Sequence, residues 1–291
     1  MKWVFISAIS INISFANIIH ETGELSEFLG GNSPGSSYDN WVSHVTEGIA
    51  SEGFNDYGPD WLDVQTTGFG NYNKLESGDP ILSYWEDIFS GFILGDTTLV
   101  DSLLQDSVES FYYELVIFED TVYNQVFHII REQLDTSFID INQSDNDLDD
   151  VVGSFRNGWG MYIINPQATR EQVIVQVPHP CDDFIAPYIA MDIFLETNAF
   201  AFMINGAGRE VLWTEVGNYS NSKSLSDPSR YPNTIFQKFQ EVAVHPLVGI
   251  DPHWPLVFAI HSFDNESHAP RKSVIVAAGS QNSFTTKPIR D

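Results

Sequence analysis

Beyond residue 150, short apolar runs alternate with stretches of helical period. Residues 161–164, 173–177, 200–204, 256–260 and 273–277 read as strands. Between them, residues 187–197 place Ile189, Ala190, Ile193 and Phe194 on one helical face, and residues 233–244 read as a second helix. Pro187 suits a first helical turn, where its missing N–H costs nothing. This βαβ rhythm predicts an α/β fold: a central mixed sheet flanked by helices.

The N-terminal half reads differently. Residues 21–37 are polar and rich in turn formers, and residues 38–72 are aromatic and interrupted by turns. From 86 to 110 the apolar positions Ile88, Phe89, Phe92, Ile93, Leu99, Leu103, Leu104 and Val108 recur at helical spacing, which predicts helices burying one face. Residues 111–118 and 122–130 fit two strands of a hairpin or a further helix, and periodicity leaves both open. The expected organisation is a leader at 1–16, an aromatic-rich α+β region of unknown role at 17–150 packed on the sheet, and an α/β core at 151–291. Lys2, the apolar run 3–15 and the small residues Ser14 and Ala16 have the layout of a secretory signal. No stretch approaches the ~20 apolar residues of a membrane span. The expectation is an exported, soluble protein, extracellular or periplasmic.

Composition narrows the function classes. Hydrophobic content of 43%, with 13% aromatic, argues against general disorder. Forty acids against 13 bases leave a net charge of −27, a surface that repels phosphate backbones and argues against a nucleic-acid partner. The acidic segment 140–150 carries oxygen side chains at alternate positions, as a calcium loop does, but Asp145 and Val151 stand where the helix–loop–helix pattern wants Gly and Glu. A solvated acidic loop is the other reading. Cys181 is the only cysteine, so no disulfide can form within the chain.

The candidate chemistry follows the strands. Run 173–177 ends at Pro178 and leads into His179, Cys181, Asp182 and Asp183. Run 200–204 leads into Asn205, Gly206, Ala207, Gly208, Arg209 and Glu210, and run 256–260 into His261. Polar groups just past the C-terminal ends of strands are where open α/β sheets place their sites. His179, either Asp182 or Asp183, and His261 supply the three nitrogen and oxygen ligands of a hydrolytic zinc centre. Arg209 and Arg230 are candidates to hold a substrate carboxylate, or else to pair with neighbouring acids. Glu210 is a candidate general base or the partner of Arg209. The rival chemistry is a Cys181 thiol with His179, His245, His253 or His268 as base, against an inert, partly buried thiol. His44 and Glu47 have ligand-like i, i+3 spacing but read more simply as a surface pair. No G-x-G-x-x-G or phosphate loop follows any strand.

His179-x-x-Asp182 resembles the H-x-x-E ligand pair of zinc carboxypeptidases, and His261-Ser262-Phe263 resembles the segment carrying their third ligand. The wider group includes enzymes similar to N-formylglutamate amidohydrolases and poly-γ-glutamate hydrolases. The resemblance covers residues 173–278 and implies a phosphorylase/hydrolase-like fold, a bound zinc ion and hydrolysis of amide bonds in a peptide or small molecule bearing a carboxylate. Asp stands where that pattern has Glu, and no Glu follows Glu266, although these enzymes draw their base from beyond the third ligand. A different base, a non-catalytic binding or surface protein on this fold, and a chain shortened at its C-terminus all fit that departure.

Overall fold

The structure is a computed structural model. It describes residues 18–30, 72–105, 112–133, 135–140, 151–154, 157–180, 183, 186–208, 213–214, 223–244 and 255–261. The expectations for residues 1–16, for His44 and Glu47, for loop 141–150, for Cys181, Asp182, Arg209, Glu210, His245, His253 and His268, and for strand 273–277 lie outside these residues.

In chain order the elements are β1 (Ile19–Gly23), α1 (Leu25–Gly30), α2 (Pro80–Ile93), α3 (Thr97–Leu104), β2 (Tyr113–Asp120), β3 (Gln125–Glu132), β4 (Asp135–Asp140) and β5 (Val151–Ser154). Then come β6 (Met161–Ile164), β7 (Arg170–Val177), α4 (Ala186–Thr197), β8 (Ala199–Ile204), β9 (Trp213–Thr214), β10 (Lys223–Ser224), α5 (Ile235–Val244) and β11 (Leu256–Ala259). A seven-stranded sheet has the order β1-β2-β3-β6-β8-β7-β11. Two small ribbons, β4–β5 and β9–β10, stand apart from it.

The sheet is mixed. β8, β7 and β11 run parallel to one another, β6 joins β8 and β3 in antiparallel pairing, and β1 lies parallel to β2 at the other edge. Residues 113–132 form the hairpin β2–β3, in register from Tyr113 opposite Glu132 to Asp120 opposite Gln125. The sheet therefore crosses residue 150. α2 and α3 pack on it as the sequence suggested, but β1, β2 and β3 are part of it rather than a layer laid against it.

Successive strand residues point to opposite faces, and each face has its own core. Val173, Val175 and Val177 of β7 join Phe202 of β8 and the apolar side of α1 and α4. On the other face, Ile174 joins Ala201 and Met203 beneath α2, α3 and α5. That second core is strongly aromatic. Phe89 stands edge-on to Tyr162 and Phe239 at centroid distances of 4.8 and 5.0 Å, and Trp85 stands edge-on to Tyr113 at 4.7 Å. Helix ends are closed by side chains: Asp79 accepts from the Ile81 amide, Asp96 from the Leu99 amide and Thr234 from the Gln237 amide. With helices on both faces, the C-terminal ends of β7, β8 and β11 come out side by side along one edge.

Candidate metal centre

Pro178 stops β7 because it has no N–H for the ladder. The chain then turns so that the Asp183 amide donates to the His179 carbonyl at 2.9 Å, and the Ala186 amide donates to the Asp183 carbonyl as α4 begins. This i, i+4 turn brings Asp183 back under His179, and both are buried. On the neighbouring strand the Ile260 amide donates to the Gln176 carbonyl, which holds the end of β11 against β7 and brings His261 to the same place.

His179, Asp183 and His261 each present a ligand atom, and these atoms lie within 4.8 Å of one another. Such a group could hold a metal ion. Asp183 Oδ2 is 2.9 Å from His261 Nδ1 and 3.7 Å from His179 Nδ1. The second distance is too long for a hydrogen bond, and His179 Nδ1 is buried with no hydrogen-bond partner. The opposite nitrogen is firmly held: His179 Nε2 donates to Asp227 Oδ1 at 2.9 Å. A buried imidazole nitrogen left without a partner costs roughly 1–3 kcal/mol, and a metal ion would satisfy it. Two imidazoles and a carboxylate, with a second carboxylate fixing one ring from behind, fit a divalent transition metal. His261 is 42% exposed, so the group opens to solvent on that side.

The charges are matched to one another. Burial, the largest influence on His179, favours the neutral ring, yet the carboxylates of Asp183 and Asp227 outweigh it and raise the pKa to about 9. Burial would likewise raise Asp183, but the imidazoles of His179 and His261 hold it well below the usual carboxylate range. Asp227 is also lowered: against its own burial act His179, the Ser229 amide and Arg230.

Asp227 was not singled out by the sequence. It sits in the loop before α5, whose shape is set by its own hydrogen bonds. Asn205 donates to the Ser226 carbonyl, Ser226 Oγ donates to the Gly208 carbonyl, and Asp227 Oδ1 accepts from the Ser229 amide at 2.8 Å. Asp-Pro-Ser is a turn signal that could have drawn attention to the loop, but nothing local shows that it returns to His179. Ser229 Oγ lies 3.3 Å from His179 Nε2. That nitrogen already donates to Asp227, so it has no lone pair to act as a base toward the hydroxyl.

Of the sequence candidates, the structure gathers His179, Asp183 and His261, and places Arg230 beside them with Nε 3.4 Å from Asp227 Oδ2. Asp183 is in the group, at His179-x-x-x-Asp183 spacing, while Asp182 lies outside the described residues. Comparisons with protein-family models, with curated proteins and with solved structures each return no match for this chain.

Proposed function

We propose that this chain is an exported, metal-dependent hydrolase of amide bonds, acting on a peptide or N-acyl amino acid that carries a carboxylate. Zinc is the ion assigned to His179, Asp183 and His261, whose nitrogen–oxygen–nitrogen set is the three-ligand composition of catalytic zinc sites. The observation that carries the reading is His179 Nδ1, buried, unpartnered and turned toward Asp183, while Asp227 occupies the other nitrogen. When bound, the ion would polarise a substrate carbonyl and acidify water at neutral pH.

The chain's own residues supply the rest. Asp227 keeps Nδ1 of His179 available. Arg230, about one-third exposed and beside Asp227, is assigned the substrate carboxylate, which its fork can hold with two hydrogen bonds. Proton transfer is assigned to Glu210, which follows β8 in the chain. The finer fold assignment, phosphorylase/hydrolase-like, belongs to the same reading and draws on parallel β7, β8 and β11 carrying the group at their C-terminal ends.

A binding role without turnover is the second reading. It is favoured by the His179-x-x-x-Asp183 spacing, one residue longer than in the enzymes the sequence resembles. A panel of N-acyl amino acids and short peptides, with their carboxyl-blocked counterparts, separates the two. Zinc-loaded protein should release amine from the free acids, lose activity with chelator and with Asp183→Asn, and show a raised KM in Arg230→Met. Zinc-loaded protein that binds these compounds and turns none of them over would support the second reading instead.

A further inference from the structure

A cavity of about 470 Å³ lies at the opposite end of the same sheet edge, among the start of β1, the start of β2 and α3. Four strand spacings, roughly 19 Å, separate β2 from β7, so the cavity is distinct from the His179 group. Its volume falls in the range of small-molecule sites. Ile18, Ile19, Leu104 and Leu115 give it apolar walls, and Asp101, Glu114, Gln105 and Gln133 give it polar ones.

The two carboxylates are not equivalent. Glu114 is already paired, with Arg131 Nε 2.7 Å away and Gln133 Nε2 donating at 3.1 Å. Asp101 is only 6% exposed, lines the cavity and makes no side-chain hydrogen bond or ion pair among the described residues. What is exposed of Asp101 faces the cavity without a partner among the described residues, and a cation there would supply one. Tyr112, which also lines the cavity, is held at φ 60° and is 45% exposed. Its carbonyl accepts from the Gln133 amide at 2.7 Å, which fixes this uncommon backbone beside the cavity. An aromatic ring beside a buried anion suits an organic cation better than a bare metal ion.

We propose that this cavity is a second binding site, for a small organic ammonium compound whose charged nitrogen meets Asp101 and whose apolar body lies against Leu104, Leu115 and Tyr112. Glu114 and Gln133 bound the polar side of the same space. The net charge of −27 draws cations to the surface generally, so specificity rests on one saturable site that depends on Asp101.

Calorimetric titration of the full chain with benzylamine, and with benzyl alcohol as its uncharged isostere, tests this. The expected result is one benzylamine site per chain, at least tenfold weaker binding in Asp101→Asn, and at least tenfold weaker binding of the alcohol. Tyr112→Gly, which relieves the positive φ, should also weaken benzylamine while leaving thermal stability equal or higher. This variant decides the matter if Asp101→Asn fails to fold. Absence of saturable binding, equal affinity for amine and alcohol, or affinity indifferent to both substitutions would overturn the proposal.

Discussion

Asp227 decides which nitrogen of His179 faces Asp183 and His261. Its carboxylate accepts the Nε2 hydrogen bond, so Nδ1 is left for Asp183 and His261. Partners of this kind, lying behind a metal ligand, are worth 10–100-fold in metal affinity. Asp227→Asn should therefore weaken zinc binding by about that factor while a competition titration still finds one site. Affinity unchanged in that variant would mean that the ring is oriented by packing alone. The pH dependence follows from the same residue. With a pKa raised from 6.5 to about 9, His179 stabilises the metal-free fold fully below pH 6.5, and that contribution is lost as pH rises through 9. Zinc must displace this proton, so apparent affinity should rise about tenfold per unit between these values on account of His179. The slope is read by repeating the competition titration across that range.

At the scale of elements, the edge of the sheet that carries the candidate metal group is held by backbone packed against backbone. Gly206, just past β8, has no room for a side chain: a Cβ there would lie 2.6–2.8 Å from backbone atoms of Gly158 and Gly160. Gly206→Ala should push these loops apart, lowering the thermal midpoint and, through Asn205 and the Ser226 carbonyl it holds, weakening zinc binding. A crystal structure of the variant with both loops unmoved would contradict this. The Gly158 loop is fixed in turn by Glu132 at the end of β3, whose oxygens accept from the Asn157 and Gly158 amides. Burial raises the Glu132 pKa to about 8, despite these donors, from 4.5. For a carboxyl raised in the fold, stability is fully present below 4.5 and lost as pH rises through 8. Thermal midpoints should fall over that window by an amount on the order of a few kcal/mol in free energy. Glu132→Gln, less stable overall because an amide replaces one acceptor, should lack that slope.

For the whole molecule, what could be read in advance was whatever short-range pattern decides. The apolar run of β7, its stop at Pro178 and the helical face of α4 are local features, and the structure has them. Residues 111–118 could not be assigned from their own pattern, because FYYELVIF fills a strand or a buried helix equally well. The β2–β3 ladder, with Val116 opposite Ile129 and Leu115 opposite Ile130, decided it. Likewise nothing local in the sequence separates Asp182 from Asp183, and what returns Asp183 to the ring is its amide bond to the His179 carbonyl. Asp227 could not be read at all, since its role needs a contact across 48 residues. The central claim is that three side chains, two from the turn after β7 and one just past β11, make one metal site. Its most direct test is elemental analysis of chelator-stripped protein reconstituted with zinc and freed of excess metal. The account predicts one zinc ion per chain in the wild type and loss of that ion in His179→Ala, Asp183→Ala and His261→Ala variants that remain folded. Zinc absent from the wild type, or retained unchanged in all three folded variants, would contradict it.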